Sequence, residues 1–362
     1  MAVTNHNETA RGDAILGSLL GTAVGDALGL PYEGLSRRRA ERLLGAPDRH
    51  RFVLGRGMVS DDTEHTVMVG QSLIAAWDDV PAFRQELARR LKWWLLGLPA
   101  GVGFATLRAT VKLWLGISPR GSGVFSAGNG PAMRSAILGA AVDDLALLRR
   151  LVRASTRITH TDPKAEYGAM AVAIAAYLAA RGGAPDGMDY LNLVAEQFIP
   201  RSKDAAEQLD LLGAAVASVA AGEATRAFAA SVAAPAGVSG YVYHTVPVAI
   251  HAWLSHADDY DAAVQSVICC GGDTDTTAAI VGGIVGAAVG REGIRTAWID
   301  GLCEWPRSVR WLTRLAEQLT EVSITAQPRR PPRLPAMGIV ARNLAFLGIV
   351  LVHVARRMFP PY

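Results

Sequence analysis

The stretch AILGSLLGTAVGDALGL, residues 14–30, decides the fold of this chain, because glycine recurs in it at every fourth position. Gly17, Gly21, Gly25 and Gly29 fall on one face of a helix. Interior glycine weakens a helix by about 1 kcal/mol relative to alanine, so a stripe of four needs a compensating reason. The close approach of another helix backbone supplies that reason. We therefore predict that residues 14–30 form a helix packed directly against a second helix.

A second stripe of small residues, at Gly282, Gly286 and Gly290, marks another helix that packs closely. Membrane helices use the same spacing to associate, which is the alternative interpretation. Asp26 and Arg291 interrupt the two apolar runs before either reaches the length of about twenty residues that a bilayer requires. Close packing in a water-soluble bundle is therefore the preferred interpretation.

The composition favours an all-α protein with one substantial core. Hydrophobic residues make up 50% of the 362 positions and charged residues 19%, whereas aromatic residues make up only 7%. The net charge of +3 gives no argument for nucleic-acid binding. Cys269, Cys270 and Cys303 lack metal-ligand spacing, and residues 1–13 lack the apolar core of a signal peptide. These features predict a reduced, cytoplasmic protein.

Helical periodicity recurs along most of the chain, and runs of alternating β-branched residues are few. The best strand candidate is the short segment Tyr241-Val242-Tyr243. After residues 14–30, we predict further helices at 63–77, 81–96, 131–141, 144–156, 163–181, 188–197, 205–221, 246–254, 258–269 and 308–319. The chain is predicted to be all-α, with polar motifs in the loops.

The last part of the chain differs from the rest. We predict a catalytic domain over residues 12–325, a Pro/Arg-rich linker over 326–336 and a basic, apolar helical tail over 337–362. The apolar run Leu344–Ala355 has too few residues to cross a hydrocarbon core. Three alternatives remain for this tail: it docks on its own domain, on a second subunit or on a membrane surface.

Two acidic clusters lie about 210 residues apart, at Ser60-Asp61-Asp62-Thr63 and at Gly271-Gly272-Asp273-Thr274-Asp275-Thr276. Carboxylates held close together repel one another, and their burial without partners costs several kcal/mol each. A cation is their natural partner. Because neither cluster contains His or Cys, a hard ion such as Mg²⁺, Mn²⁺ or Ca²⁺ is favoured over zinc.

A plainer interpretation of the first cluster is helix capping. Ser60 is a good N-cap residue, and adjacent acids are stabilised at a helix start. The second cluster makes capping alone less satisfactory as an explanation. Asp273 and Asp275 would lie on different faces of a regular helix, so we predict a loop that enters a helix at about Thr276.

A phosphate site is predicted where small residues precede a helix. Gly121-Ser122-Gly123 and Ser126-Ala127-Gly128-Asn129-Gly130 lead toward Pro131, which we place at the first helical position. Main-chain N–H groups before a helix suit a diphosphate, although such a loop is also consistent with an ordinary turn. No acidic residue lies between Glu86 and Asp143, but this region contains the bases Arg89, Arg90, Lys92, Arg108, Lys112, Arg120 and Arg134.

On these motifs the chain resembles the ADP-ribosylglycohydrolase family, enzymes that remove ADP-ribose from modified proteins or small molecules. Five segments occur in the family's order and extend over about residues 12–305. They are Gly17–Gly29 with Glu33, Ser60–Thr63, Gly128–Gly130 with Met133-Arg134, Thr159-His160-Thr161-Asp162-Pro163 and Gly271–Thr276. A weaker sixth match is Ser239–Val242. The resemblance implies a single-domain orthogonal helical bundle with a binuclear metal cleft.

The resemblance also implies the roles of individual residues. Two divalent cations, Mg²⁺ or Mn²⁺, would be held by Ser60, Asp61, Asp62, Asp273, Asp275 and Thr276. Asp61 and Asp62 would serve catalysis as well, and Glu33 would act as ligand, general base or both. Ser126, Gly128, Asn129, Gly130, His160 and Tyr241 would bind substrate. From the residues alone, His160 could equally be a capping or surface histidine and Tyr241 a core tyrosine.

The predicted function is metal-dependent hydrolysis of the glycosidic bond of an ADP-ribosylated protein or small molecule, with release of ADP-ribose. The alternatives are a non-catalytic ADP-ribose or nucleotide-binding protein of the same fold, and a metallophosphatase. Some arginine-directed relatives carry an additional carboxylate that the acid-free stretch from Leu87 to Val142 lacks. This difference argues against ADP-ribosylarginine as the substrate.

Overall fold

The fold is all-α. A computed structural model describes residues 2–182, 186–233 and 237–360, with side chains from residue 8 onward. These residues contain isolated β-bridges but no β-sheet. In chain order the α-helices are α1 (Ala2–Gly29), α2 (Arg37–Leu43), α3 (Asp61–Ala76), α4 (Val80–Leu96), α5 (Phe104–Trp114), α6 (Ala136–Ala141), α7 (Leu145–Thr159), α8 (Pro163–Ala179), α9 (Gly187–Gln197), α10 (Lys203–Ala220), α11 (Thr225–Val232), α12 (Val242–Ser255), α13 (Tyr260–Ile268), α14 (Thr274–Val289), α15 (Thr296–Asp300), α16 (Val309–Thr325) and α17 (Ala336–Arg357).

The two glycine stripes pack against each other, on α1 and α14, so the second helix predicted beside residues 14–30 is α14. A Cβ atom built on Gly17 would lie 2.0 Å from the Gly286 carbonyl oxygen, and one on Gly25 would lie 2.2 Å from the carbonyl oxygen of Ala278. At Gly29 the nearest atom would be the Thr274 carbonyl oxygen, at 2.4 Å. The backbones therefore touch along the whole pair. This contact sets the end of α1 beside the start of α14.

A single large hydrophobic cluster surrounds this helix pair and includes residues from α1, α3, α6, α8, α12 and α14. Helix α8 is buried along nearly its whole length, because its residues are apolar on every face. Helix α3 is also largely buried, although its first turn carries Asp61, Asp62 and Glu64. The acidic residues are thus held at the edge of a rigid core.

Several predicted boundaries were wrong. Helix α14 begins at Thr274 rather than Thr276, with Asp273 as its N-cap. Pro131 precedes a short 3₁₀ helix, and α6 starts only at residue 136. The best strand candidate, Tyr241-Val242-Tyr243, instead forms the N-cap and start of α12, in keeping with the predicted all-α fold.

The C-terminal tail forms the 22-residue helix α17, which is longer than the apolar run in the sequence suggested. Its inner residues Gly338, Arg342, Asn343 and Phe346 are buried against the rest of the same chain. By length and composition, residues 8–32 and 336–357 form helices long and apolar enough to cross a membrane. The apolar window of the first is 94% buried in the core, and that of the second is 22% buried.

Candidate metal centre and substrate cleft

The packing of α1 on α14 brings three carboxylates together. A 3₁₀ turn, Leu30–Tyr32, follows α1 and leads to Glu33, while Asp273 and Asp275 stand at the start of α14. One carboxylate oxygen from each of Glu33, Asp273 and Asp275 lies within 4.8 Å of the others. Residues about 240 positions apart therefore share one site that could hold a metal ion.

The first acidic segment meets the second at Asp62. The Ser60 hydroxyl donates to Oδ2 of Asp62 at 2.9 Å, and the Thr276 hydroxyl donates to the same oxygen at 3.3 Å. The other oxygen, Oδ1, is buried and has no hydrogen-bond partner in the protein. Asp61 lines the same cavity as Asp273 and Asp275. Glu33, Asp61, Asp62, Asp273 and Asp275 are hereafter called the acidic cluster.

Sequence reasoning gave no role to Asp26, which holds the two halves of the site together. Its fully buried carboxylate on α1 accepts hydrogen bonds from the main-chain N–H groups of Ser60 and Thr63 and from the Thr63 hydroxyl. Asp26 thereby fixes the first turn of α3 to α1. The sequence signal that could have identified this role is the presence of an acidic residue within the apolar, glycine-striped helix.

Electrostatic strain in the acidic cluster is large. Burial, followed by the charge of Asp26, raises the pKa of Asp61 and of Asp62 well above the usual range. Burial and then the charge of Glu33 raise the pKa of Asp275 in the same way. Desolvation and the charge of Asp273 raise the pKa of Glu33. A divalent cation would relieve this repulsion, and the unpaired oxygen of Asp62 and the oxygen-only donors fit Mg²⁺ or Mn²⁺.

The acidic cluster borders a cleft of about 830 Å³. The loop Ser126–Gly130, here called the glycine loop, lines it as well. The side-chain amide of Asn129 donates to Oδ2 of Asp273 at 2.7 Å, and its main-chain N–H donates to the Gly240 carbonyl at 3.0 Å. Of the predicted site residues, the cleft lining includes Glu33, Ser60, Asp61, Ser126, Gly128, Asn129, Gly130, His160, Asp273, Asp275 and Thr276.

His160 lies directly beneath the glycine loop. Cβ atoms built on Gly128 and Gly130 would lie 3.0 and 3.2 Å from its ring, so a larger residue at either position would require the ring to shift. Its Nδ1 lies 2.9 Å from the Thr159 hydroxyl, to which the buried Arg134 donates at 2.8 Å. Burial, and then the charge of Arg134, lowers the pKa of His160 to about 3. The imidazole is therefore neutral near pH 7.

Tyr241, a predicted substrate contact, has its hydroxyl bonded to Lys164, and its role stays a prediction. Among the described residues, its side chain is not part of the cleft lining. Its hydroxyl accepts a hydrogen bond from Lys164 at 3.0 Å, and its ring centroid lies 5.7 Å from that of Tyr243. This segment reaches the glycine loop through a β-bridge between Tyr241 and Gly128, and its residues Ser239 and Gly240 line the cleft.

The sequence also gave no warning of an apolar side to the cleft. Phe104, Phe125, Phe346 and Val350 line it, and Phe346 and Val350 belong to the tail helix α17. Since Phe104 and Phe346 are separated by about 240 residues, no local pattern could have paired them.

Fold and site together define an all-helical protein with a carboxylate-lined cleft, and comparisons with known proteins identify it as a glycosidic-bond hydrolase and give its family. The family model for ADP-ribosylglycohydrolase matches residues 7–329. The ADP-ribosyl-(dinitrogen reductase) glycohydrolase of Rhodospirillum rubrum is 27% identical, over 80% of this chain and 90% of its own. The ADP-ribosylarginine hydrolase Tri1 of Serratia proteamaculans is 27% identical, over 85% of this chain and 79% of its own. A solved structure, an ADP-ribosylglycohydrolase-related protein complex, is 28% identical with a TM-score of 0.65 and covers 87% of this chain and 99% of its own.

The chain therefore belongs to the ADP-ribosylglycohydrolase family. The match of the family model and the agreement of the fold are both extensive, so the prediction of an all-helical hydrolase is confirmed.

Proposed function

We propose that this protein uses Mg²⁺ or Mn²⁺ to hydrolyse the glycosidic bond between ADP-ribose and a protein or small-molecule acceptor. The observation that carries the proposal is the meeting of five carboxylates from three segments beside a neutral histidine and a glycine loop. Acids that cluster this closely, with Asp62 and Asp275 buried, would be strongly destabilising without a cation. A bound cation makes the same arrangement favourable.

The acidic cluster, with Ser60 and Thr276, would hold the cations. When bound, divalent ions supply a water of lowered pKa and a clamp for the ribose hydroxyls. The structure supports this role through the unpaired Oδ1 atom of Asp62 and the 4.8 Å grouping of Glu33, Asp273 and Asp275. Asp26 positions Ser60 and Asp61 by binding the first turn of α3.

The glycine loop is the proposed diphosphate site. Among the described residues, the main-chain N–H groups of Ser126, Gly128 and Gly130 donate to no protein acceptor. These donors line the cleft, where an anion would satisfy them. Diphosphate at this loop sets the adjacent ribose at the acidic cluster, because the Asn129 side chain connects the two sites.

Glu33 is the proposed general base. Its raised pKa makes its carboxylate a better proton acceptor than an ordinary glutamate. As water attacks the anomeric carbon, a new carbon–oxygen bond forms and the bond to the leaving group breaks. The water proton passes to Glu33, and the leaving group takes up a proton from the site or solvent. Positive charge that develops on the ribose is stabilised by the carboxylates around it.

The test is a panel of chemically defined ADP-ribosyl conjugates, assayed for free ADP-ribose with Mg²⁺, with Mn²⁺ and with EDTA. Asp61→Ala and Asp275→Ala should abolish release while helicity, measured by circular dichroism, stays near that of the parent. Asp258→Ala is the matched control, because this exposed acid lies outside the cleft. Full activity in EDTA, or in either cluster variant, would refute the proposal.

A further inference from the structure

Helix α17 forms one side of the substrate cleft, although it lies beyond residue 329, where the family match ends. Phe346 is 3% exposed and packs in one cluster with Leu30, Phe52 and Met58. The same cluster includes Ala100 and Val350 at its edge. The cleft-lining residues on this side, here called the apolar wall, are Leu30, Ala100, Phe104, Phe346 and Val350.

The inner face of α17 is fixed to the catalytic domain by specific bonds near its start. The buried Arg342 guanidinium pairs with Glu304 and donates to the Val59 carbonyl oxygen at 2.5 Å. The side-chain amide of Asn343 donates to the Gly97 carbonyl oxygen at 2.7 Å. Because Val59 immediately precedes Ser60, this helix also braces the segment that carries Asp61.

Near its end, α17 is attached beside the other half of the acidic cluster. Arg357 donates to the carbonyl oxygens of Glu33 at 2.9 Å and Pro31 at 3.0 Å. His353 bonds to the Phe52 carbonyl at 2.6 Å, and their rings stack with centroids 5.0 Å apart. Attachment at both ends places Val350 and Phe346 at a set position in the cleft.

The apolar wall and the glycine loop approach the acidic cluster from different segments. The glycine loop is bonded to Asp273 through Asn129. The wall instead adjoins Glu33 and Ser60, because Leu30 and Met58 lie shortly before them in sequence and pack on Phe346. In an ADP-ribosyl conjugate, the ribose lies between the diphosphate and the leaving group. With diphosphate at the glycine loop and ribose at the cluster, the leaving group faces the wall.

The chemistry of this side of the cleft disfavours a positively charged leaving group. Among the described residues, the carboxylates that line the cleft all belong to the acidic cluster, which the metal ions would neutralise. The remaining charged lining residue is Arg108. A guanidinium leaving group would thus find no free carboxylate, whereas an apolar group would bury surface against Phe346 and Val350 at about 25 cal/mol per Å².

We infer that α17 completes a leaving-group subsite and that this subsite selects ADP-ribosyl conjugates with a neutral, apolar leaving group. The inference rests on the proposed function for the position of the ribose. The acidic cluster does not by itself distinguish one ADP-ribosyl conjugate from another. In this inference α17, which lies outside the family match, makes that distinction.

The experiment compares two tryptophan substitutions on one helix. Val350→Trp fills the cleft, whereas Val352→Trp, two residues on, faces solvent at 68% exposure. Val350→Ala enlarges the subsite without risk of overpacking. The substrates are ADP-ribose with a benzyl group on the anomeric oxygen, the corresponding methyl conjugate and ADP-ribosylarginine. Binding of free ADP-ribose is measured by calorimetry for each variant.

The parent protein should cleave the benzyl conjugate with a kcat/KM at least about tenfold above that for ADP-ribosylarginine. Val350→Trp should raise KM for the benzyl conjugate about tenfold and leave ADP-ribose affinity unchanged, with Val350→Ala intermediate. Val352→Trp should match the parent throughout. Equal behaviour of the two tryptophan variants, or a preference for the arginine conjugate, overturns the inference.

Failure of the proposed function would look different. In that case the parent protein releases ADP-ribose from none of the conjugates. The apolar wall is then tested by binding alone. Val350→Trp should weaken binding of the benzyl conjugate more than binding of free ADP-ribose, and Val352→Trp should weaken neither. An equal effect on both ligands overturns the inference in this case too.

Discussion

Gly21 on α1 and Gly282 on α14 meet backbone to backbone: a Cβ atom on Gly21 would lie 2.1 Å from the Gly282 carbonyl oxygen. Reciprocally, a Cβ atom on Gly282 would lie 2.3 Å from the Gly21 carbonyl oxygen. The contact sets α1 and α14 at a fixed spacing, so the acids that follow one helix and begin the other share a site. Its strength can be measured.

Gly21→Ala should destabilise the protein by about 3 kcal/mol or more, because the methyl group collides with backbone that cannot move aside. The gain in helix propensity offsets only about 1 kcal/mol of this. Urea unfolding followed by circular dichroism measures the change. In Gly213→Ala, the control within α10, the new methyl group meets no atom within 4 Å. That variant should be slightly more stable, and a neutral Gly21→Ala would contradict the packing.

Asp26→Asn should lower stability by about 3 kcal/mol, measured in EDTA. The reason is that an amide nitrogen would replace one oxygen that accepts from Ser60 and Thr63. Metal affinity should fall as well, since the first turn of α3 loses its support. Asp78→Asn, at an exposed position, is the control. Unchanged stability would show that the carboxylate does not hold α3.

Asp275→Asn should remove the stabilisation that Mn²⁺ or Mg²⁺ gives. A ligand at 100 times its Kd stabilises the native state by about 2.7 kcal/mol, which appears as a higher Tm. Without metal, the variant should be at least as stable as the parent, because it removes one of several repelling charges. Thermal unfolding with and without the ions tests both statements. A metal-induced rise in Tm equal to that of the parent would count against the ligand role.

His251 should make stability fall in acid. Burial lowers its pKa to about 4 from 6.5, so the unfolded chain binds a proton more readily than the folded protein between these values. Its contribution is complete above pH 6.5 and is lost as pH falls toward 4. His251→Gln should reduce the slope of unfolding free energy against pH across this window. The other buried histidines keep their contributions to this slope in the variant. An unchanged slope would therefore contradict the prediction for His251.

Arg342→Leu should release α17 from the domain. It would leave Glu304 buried without its partner, which costs about 3–5 kcal/mol. Trypsin should then cut the linker after Arg329 and Arg333 faster, as detected by mass spectrometry of intact fragments. Arg356→Leu, on the exposed face, should leave the cleavage rate unchanged. Equal rates in the two variants would mean that the Arg342 ion pair does not hold the helix.

Much of the fold follows from local pattern. The spacing of Gly17 to Gly29 predicted a helix pair because periodicity over a few turns is a property of the segment itself. Boundaries were less predictable: α14 begins two residues early, because the Asp273 carbonyl oxygen accepts from the Thr277 N–H at 3.2 Å and the Thr274 hydroxyl bonds to the Gly29 carbonyl oxygen. That bond depends on a residue 245 positions away.

The site was predicted in the same uneven way. Asp61 and Asp275 stood out because acids beside apolar helices are unusual, Glu33 was indicated by the family resemblance, and the structure brings all three to one cleft. The ligand and catalytic roles of these residues remain predictions. Tyr241 was named as a substrate contact, but its hydroxyl bonds to Lys164 on another helix, which the sequence did not foresee, and its role stays a prediction. Asp26 was overlooked because its importance lies in partners on α3.

The sequence by itself determined most of the helices, the close approach of a second helix to the glycine stripe and the chemistry of the acids, since each depends on the order of neighbouring residues. Tertiary structure alone decided that Phe346 and Val350 border the cleft and that Arg357 bonds to the carbonyl of Glu33. Contacts between segments some 300 residues apart arise from how whole helices pack, and no local periodicity records that packing.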